Sequence, residues 1–257
     1  MTSAAATRAP LRVGLETSRE GAGWTCHLTL PGTDRTVPAF RRYWRIAEEL
    51  GYGDSSPQTI VTTSDSDDRW ATEQLAACPG PVIAIHPGAR WITKRWPVEK
   101  FAVVTGKALR QFGGSAIILG SSGEAPVARE LEELLKAFAP RNTIRNLTGQ
   151  TSIKQLAALL SRVDTVLTND SGPMHLAAGL GTPVVGLFTC TSPLISGPPG
   201  DQHELVATQV PCAASYKKIC PHAGCGHLCC LDELAPDRVF QALVRSLDRK
   251  LANHHAA

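Results

Sequence analysis

From Pro81 onward, short apolar runs alternate with amphipathic stretches, and this alternation limits how the chain can fold more than any other feature. Four runs have the length and composition of buried strands: VIAI at 82–85, SAIIL at 115–119, TVLT at 165–168 and PVVGLF at 183–188. The stretches between them have helical features, and strands that alternate with helices are typical of βαβ units. The sequence therefore predicts an α/β domain built on a parallel sheet.

Helix signals mark the stretches around these strands. Pro97 suits a first helical turn and Gly113 a helix stop, and another helix is predicted over 125–138. Ser152 is followed three residues later by a glutamine, which is the spacing of a capping box. The stretch APDRVFQALVRSLDRKL predicts a final amphipathic helix with Pro236 near its start.

Residues 1–80 have a different pattern. LRVGL and CHLTL predict two strands, PAFRRYWRIAEEL predicts a helix that stops at Gly51, and GDSSPQTIVTTSDSDD is expected to form a polar linker. Two strands and one or two helices do not make a closed doubly wound domain. We therefore expect an incomplete α/β segment with its linker at 1–75 and a parallel-sheet domain at 76–257.

The composition is that of an ordinary globular protein, with 43% hydrophobic and 19% charged residues. The net charge of +3 comes without a concentrated block of lysine and arginine, so a nucleic-acid partner is not expected. The start, MTSAAATRAP, lacks the apolar core of a signal peptide, and the longest apolar runs are too short to cross a bilayer. These features favour a cytoplasmic location.

The stretch VLTNDSGPMHLAAGLGTPVVGLF places a polar group between two apolar strands. Asp170 follows a buried strand, and Ser171, Gly172 and Pro173 turn the chain into a helix with His175 in its first turn. The free N–H groups and the positive dipole end of such a helix suit an anionic group, and Gly172 has no side chain to obstruct it. We favour an anion-binding site. Simple capping of the helix by Asp170 or Ser171 is the alternative.

Two more loops follow predicted strands. The loop HPGARWITKRWP contains Lys94, the best candidate for a diphosphate contact, and Trp91 and Trp96, which argue against a merely solvated basic loop. The loop GSSGE contains Glu124, whose carboxylate could accept hydrogen bonds from a ribose diol. A solvated basic loop and a capping or surface glutamate are the alternatives.

The stretches IHPGARWITKRWP, IILGSSGE and NLTGQTSIKQLAALLSRVDTVLTNDSGPMHLAAGLGTPVVGLF, with the TCTSP that follows, occur in the order found in a known family. They resemble the C-terminal half of glycosyltransferase family 9, the ADP-heptose:lipopolysaccharide heptosyltransferases. The resemblance covers roughly residues 81–245 and is weaker over RVGLETSREGA and RRYWRIAEELG. It implies the GT-B architecture of two facing Rossmann-like domains, with the donor bound in the C-terminal one.

The resemblance also implies roles for particular residues. It matches Lys94 with the donor diphosphate, Glu124 with the nucleotide ribose, and a third group with the diphosphate and the sugar: Asp170, Ser171, Gly172 and His175. The implied reaction is an inverting transfer of heptose from ADP-heptose, without a required metal or other cofactor. The implied acceptor is a lipid-linked saccharide of the lipopolysaccharide core, and peripheral contact with the cytoplasmic face of the inner membrane would follow from it.

Two departures from the family pattern affect this expectation. The family's general base is an Asp near the start of the N-terminal domain, whereas residues 1–10 run directly into what resembles the last third of that domain. We therefore expect an N-terminally truncated chain that binds the donor without efficient transfer. Ala89 and Arg90 stand where hydroxyl side chains occur in some members, so the identity of the nucleotide-sugar donor is left open. The alternatives are a non-catalytic nucleotide-sugar-binding remnant and a GT-B epimerase acting on a UDP-sugar.

Five of the eight cysteines fall within 19 positions: Cys212, Cys220, Cys225, Cys229 and Cys230. Disulfides are not expected in a reducing cytosol. The spacing lacks the paired C-x-x-C of typical zinc sites, so a packed, reduced cysteine loop is favoured. A tetrahedral zinc site that includes His222 or His227 is the alternative.

Overall fold

The computed structural model describes the backbone of four ranges: 6–17, 22–53, 61–139 and 143–255. It describes the side chains of these ranges except at 22, 225 and 253–255. By its internal contacts the chain divides into two compact units. The first is Met1–Gln58 with Leu194–Ser196, and the second is Thr59–Pro193 with Gly197–Ala257.

The first unit contains a small parallel sheet and one helix. Strand β1 (Val13–Leu15) pairs in parallel with β2 (Leu28–Leu30), as the two apolar runs predicted. Helix α1 (Ala39–Ala47) continues into one π-helical turn at Glu48–Tyr52. The helical backbone is interrupted at Gly51, where φ is +87°, a value that glycine adopts readily and other residues rarely do.

The second unit is built on a six-stranded parallel sheet with the strand order β5-β4-β3-β6-β7-β8. Its strands are β3 (Val82–His86), β4 (Ser115–Ile118), β5 (Thr143–Asn146), β6 (Thr165–Asn169), β7 (Val184–Phe188) and β8 (Glu204–Ala207). The helices that follow α1 in the chain are α2 (Asp65–Leu75), α3 (Val98–Phe112), α4 (Ala125–Phe138), α5 (Ile153–Leu160), α6 (Gly172–Gly179), α7 (Pro193–Ser196), α8 (Cys229–Glu233) and α9 (Pro236–His255).

Hydrophobic residues are buried on both faces of this sheet, which explains the continuous apolar runs of its strands. Ile83 and Ile85 of β3 pack into the cluster formed with α3, α4 and α9. Val82 and Ala84 point the other way, into the cluster formed with α2, α5 and α6. The expected α/β class is confirmed. None of the described helices combines the length and the hydropathy that crossing a bilayer requires.

The apolar runs predicted the four inner strands, but β5 and β8 were missed. These two strands lie at the edges of the sheet, where β5 pairs only with β4 and β8 only with β7. All four residues of each edge strand are half-buried, and β5 includes Arg145. A strand that lies at an edge does not need the apolar run that identifies a strand buried on both faces.

The expected polar linker ends earlier than predicted, because α2 begins at Asp65. Ser64 accepts a hydrogen bond from the backbone N–H of Asp67, whose carboxylate accepts one from the N–H of Ser64. This capping box turns an acidic stretch into a helix start. Helix α2 packs against α5, so residues 65–75 belong by their contacts to the second unit rather than to the segment that precedes it.

Replacing Ser64 tests whether the capping box stabilises the start of α2. Ser64→Ala removes the acceptor for the Asp67 N–H and should lower the free energy of unfolding by about 1 kcal/mol. Ser64→Asp keeps a capping oxygen and should change stability by only a few tenths of a kcal/mol. Urea denaturation measures both variants. Equal stabilities of the Ala and Asp variants would show that the cap does not hold the helix.

Candidate functional site

The three polar loops predicted from the sequence meet at one edge of the second unit's sheet. They follow β4, β3 and β6, which are neighbours in the strand order. The carboxyl ends of parallel strands lie on the same side, next to the N-termini of the helices that follow, and open α/β sheets bind ligands there. The fold therefore brings the loops of Lys94, Glu124 and Asp170 together.

An ion pair links the loop after β3 to the loop after β6. Lys94 Nζ lies 2.7 Å from Asp170 Oδ2 and 3.4 Å from the Asp170 carbonyl oxygen. The Asp170 side chain is 6% exposed and that of Lys94 is 17% exposed, so the pair is largely removed from water. The Lys94 ammonium also lies 4.7 Å from the centre of the Trp91 ring, within the range of a cation–π contact.

The start of α6 has no side-chain cap. Ser171 occupies the capping position, but its hydroxyl is 3.1 Å from His86 Nδ1 and 3.2 Å from Thr168 Oγ1 instead. The carboxylate of Asp170 is engaged by Lys94. Simple capping, the alternative interpretation of these two residues, is therefore wrong. The first N–H groups of α6 are left to other partners.

Glu124 is fixed next to the same histidine. Its Oε2 accepts hydrogen bonds from the backbone N–H of Ser121 at 2.7 Å and from the Ser121 hydroxyl at 2.8 Å. His86 Nε2 lies 3.6 Å from the same oxygen. The interaction with His86, aided by the Ser121 bonds and opposed by partial burial, lowers the pKa of Glu124 to about 2. Glu124 is therefore a carboxylate at every physiological pH.

His86 connects two of the predicted residues but was not itself predicted. One ring nitrogen faces Ser171 and the other faces Glu124, while the side chain is almost fully buried at the end of β3. The signal was present in the sequence, because a histidine ends an otherwise apolar strand. A buried histidine needs polar partners, and here the neighbouring strand ends supply them.

Two glycines leave room at this edge for different reasons. A Cβ at Gly88 would lie 1.7 Å from Glu124 Oε1, so Gly88 is required for the carboxylate to hold its place. A Cβ at Gly172 would meet nothing within 4 Å. The protein's own packing therefore does not require glycine at the start of α6, whereas close approach of a ligand would.

His175 lies in the first turn of α6, with its side chain half-exposed. Its Nε2 is 4.0 Å from Asp170 Oδ1. Burial lowers the pKa of His175 below its ordinary value of 6.5, nearby Asp170 opposes this shift, and Lys94 adds to it. At neutral pH His175 is therefore mainly a neutral hydrogen-bond donor rather than a fixed cation.

Asn169 and Trp96 have structural roles that the sequence did not indicate. Asn169 Nδ2 donates to the Pro87 carbonyl at 2.7 Å, and its Oδ1 accepts from the Trp96 N–H at 3.2 Å, so it fastens the loop after β3 to β6. Trp96 is buried against Phe101 and donates to the Leu234 carbonyl. Trp96 is therefore a core residue, and its place in the loop is explained without a ligand.

The described cysteines of the cluster are free thiols: Cys212, Cys220, Cys229 and Cys230. Burial raises the pKa of Cys230 to about 11, and neighbouring thiols add to that effect. Among the side chains that the structure describes, no three His, Cys, Asp or Glu form a set that could hold a metal ion. The structure does not describe the side chain of Cys225. The zinc alternative therefore stays a prediction.

Comparison with known proteins identifies the family that the chain resembles. The sequence model of glycosyltransferase family 9 (heptosyltransferase) matches residues 1–225. Lipopolysaccharide core heptosyltransferase OpsX of Haemophilus influenzae is 35% identical over 157 residues, which cover 61% of this chain and 44% of the relative. Lipopolysaccharide heptosyltransferase 2 of Escherichia coli is 30% identical over 202 residues, covering 77% of this chain and 56% of the relative.

A solved structure agrees with this result. The structure of E. coli ADP-heptose lps heptosyltransferase II has a TM-score of 0.68 and 24% identity, over 94% of this chain and 71% of that one. This likeness confirms the expected GT-B type of α/β fold. The chain spans about half the length of the two curated relatives.

The low pKa of Glu124 predicts how stability depends on pH. Because the pKa falls from 4.5 to about 2 on folding, the ionised carboxylate stabilises the protein fully above about pH 5, and this contribution is lost as the pH falls through 2. Glu124→Gln should therefore lower the free energy of unfolding at pH 7 by about 1–2 kcal/mol, after allowance for solvent screening. The deficit should shrink toward pH 3.

Urea denaturation between pH 7 and pH 3 measures this difference. Glu130→Gln, at an exposed position of α4, makes the same charge change away from the site and is the matched control. A deficit for Glu124→Gln that stayed constant over this range, or that matched the control, would contradict the role of the ionised carboxylate.

Proposed function

The chain belongs to glycosyltransferase family 9, and we propose that its second unit binds the diphosphate of a nucleotide-sugar donor at the start of α6. One observation carries the proposal. Ser171 and Asp170, which could cap α6, are turned to His86 and Lys94, and the Gly172 that opens the helix has free space beside it. A helix start left in this way suits a phosphate.

The ion pair between Lys94 and Asp170 makes the start of α6 compatible with an anionic ligand. The Asp170 carboxylate alone would repel a diphosphate, but its ion pair with Lys94 cancels that charge and holds the ammonium at the strand ends. His175 adds a hydrogen-bond donor in the first turn of α6. Asp170 Oδ1, the oxygen away from Lys94, can accept a hydrogen bond from a sugar hydroxyl.

In this proposal Glu124 binds the ribose of the donor. Its Oε2 accepts two hydrogen bonds from Ser121, which leaves Oε1 to accept from a ribose hydroxyl. The pKa of about 2 keeps the carboxylate ionised and therefore an acceptor only. Gly88 allows Oε1 to take its position, because a Cβ there would lie 1.7 Å from this oxygen.

The reaction that we propose is an inverting glycosyl transfer. An acceptor hydroxyl attacks the anomeric carbon, a carboxylate takes its proton, and the nucleoside diphosphate leaves. Lys94 and the dipole of α6 stabilise the negative charge that develops on the leaving group. The residues present offer donors for a diphosphate without requiring a metal.

The names of the relatives support a particular substrate pair. They are heptosyltransferases of lipopolysaccharide synthesis, one of them named for ADP-heptose. We therefore propose heptose as the sugar, ADP-heptose as the donor and a lipid-linked lipopolysaccharide core as the acceptor, reached by peripheral contact with the cytoplasmic face of the inner membrane. In this proposal residues 76–257, together with α2, contain the donor side, and the segment that precedes α2 belongs to the acceptor side.

The proposed reaction is tested by incubating the chain with ADP-heptose and a lipopolysaccharide core that lacks heptose. Mass spectrometry should detect a product heavier by one heptose, together with released ADP, and the product should form slowly because transfer by this chain is expected to be inefficient. ADP binding without product would support a donor-binding module and contradict the transferase proposal. Neither product nor ADP binding would contradict both.

Lys94→Met should weaken ADP binding by about 10- to 100-fold, because it removes a charge-assisted contact and leaves the Asp170 carboxylate unpaired beside the ligand. Isothermal titration calorimetry measures the affinity. Loss of the buried pair can also destabilise the protein, so the thermal unfolding of the variant has to be recorded in parallel. Unchanged ADP affinity in a folded variant would contradict this role.

Gly172→Ala separates ligand binding from folding. The added methyl group enters free space at the start of α6, so the melting temperature should stay the same or rise slightly. It should nevertheless weaken ADP binding by about 10-fold or more, because it fills the space that the diphosphate needs. Full ADP affinity in this variant would mean that the ligand does not lie against the helix start.

A further inference from the structure

The segment Cys212–Cys220, called here the lysine loop, is fastened to the carboxyl end of β7. The Tyr216 N–H donates to the Cys190 carbonyl at 2.7 Å, and the Ala214 N–H donates to the Thr189 carbonyl at 3.3 Å. Strand β7 lies next to β6 in the sheet. The lysine loop therefore lies beside the proposed donor site, next to the loop of Asp170.

The same loop is also tied to the segment that carries Lys94. The Thr93 hydroxyl donates to the Lys217 carbonyl at 2.8 Å. The next residue, Lys218, places its ammonium 5.8 Å from the centre of the Trp91 ring. The Lys94 ammonium lies 4.7 Å from the centre of that ring. The ammonium groups of two lysines from different parts of the chain thus lie within cation–π distance of one indole ring.

The backbone of the lysine loop has an unusual conformation. Ala214 and Tyr216 both have φ of +56°, in the left-handed region that residues other than glycine seldom occupy. Two such residues within three positions cost conformational energy, and such positions concentrate at ligand-binding and active sites. The hydrogen bonds to Cys190 and Thr189 fix this conformation and with it the backbone position of Lys218.

The charges around Trp91 do not balance. Lys94 is paired with Asp170, whereas the exposed side chain of Lys218 forms no ion pair among those found in the described part of the chain. An unpaired ammonium beside a neutralised ion pair creates a positive surface. The loop that carries Lys218 is fastened just after β7, on one side of the β6 strand that precedes Asp170, and Glu124 follows β4, on the other side.

This order along the sheet edge suggests which part of a donor each group meets. If Glu124 binds the ribose, the diphosphate follows at β6, and the group attached to its far end lies toward β7. Resting on the proposed function, we propose that Lys218 is a second cation of the donor site and binds the sugar-side phosphoryl group. Lys94 and Lys218 then act on both phosphoryl groups of the leaving nucleoside diphosphate.

The two lysines would have different roles in donor binding. Lys94 is held by Asp170 before the donor arrives, so its position is fixed. Lys218 has an exposed side chain that can move from the indole onto the phosphoryl group as the donor binds. When the bond between the sugar and the phosphate oxygen breaks, this oxygen becomes a terminal, negatively charged oxygen of the leaving nucleoside diphosphate. A contact to the sugar-side phosphoryl group stabilises that charge.

The test compares nucleoside diphosphates with monophosphates on the full chain. Isothermal titration calorimetry with ADP and AMP, and with UDP and GDP as further probes, is carried out on the unsubstituted protein and three variants. Lys218→Gln removes the charge and Lys218→Arg retains it. Lys217→Gln is the matched control, since the described contact of Lys217 is through its carbonyl.

Lys218→Gln should weaken ADP binding by about 5- to 20-fold and AMP binding by less than about twofold, since only ADP carries the second phosphoryl group. Lys218→Arg and Lys217→Gln should keep ADP affinity within about twofold. Unchanged ADP binding by Lys218→Gln, an equal loss for AMP, or an equal loss in the Lys217 control would overturn the inference while leaving the proposed function intact. If the unsubstituted protein bound no nucleoside diphosphate, the proposed function itself would fail, and the inference with it.

Discussion

The ion pair between Lys94 and Asp170 joins two loops that are 76 positions apart in the chain and meet at the carboxyl edge of the sheet. Both side chains are mostly buried, and removing an ammonium and a carboxylate from water costs several kcal/mol per ion. Their attraction roughly offsets that cost, so a pair of this kind adds little net stability. What it provides is a fixed cation next to a helix start, an arrangement that suits the proposed diphosphate.

A second set of contacts extends the site across three neighbouring strands. His86, at the end of β3, faces Ser171 after β6 on one side and Glu124 after β4 on the other. These contacts orient the groups in advance, which would lower the entropy cost of the proposed donor binding. They also draw Ser171 away from the helix cap. The polar residues that would stabilise an ordinary helix start instead contact Lys94 and His86.

Much of the fold could be predicted because strands buried on both faces need continuous apolar runs, and helix starts need caps. The predictions failed where those rules weaken: the edge strands β5 and β8 are half-buried, and the capping box at Ser64 lies in a stretch acidic enough to resemble a linker. Residue types and their order predicted six donor-site residues, and their role in binding stays a prediction. The contacts among them could not be predicted, since the links of His86 to Ser171 and Glu124 and of Lys94 to Asp170 join segments that are distant in the chain.

The central claim is that the strand ends at Lys94 and the start of α6 together hold a diphosphate. A crystal structure of the chain with ADP tests it most directly. The account predicts ordered diphosphate density within hydrogen-bonding distance of the first amides of α6 and of Lys94 Nζ, with the ribose at Glu124. Density for ADP elsewhere on the molecule, with the Lys94–Asp170 pair and the start of α6 untouched, would contradict the account.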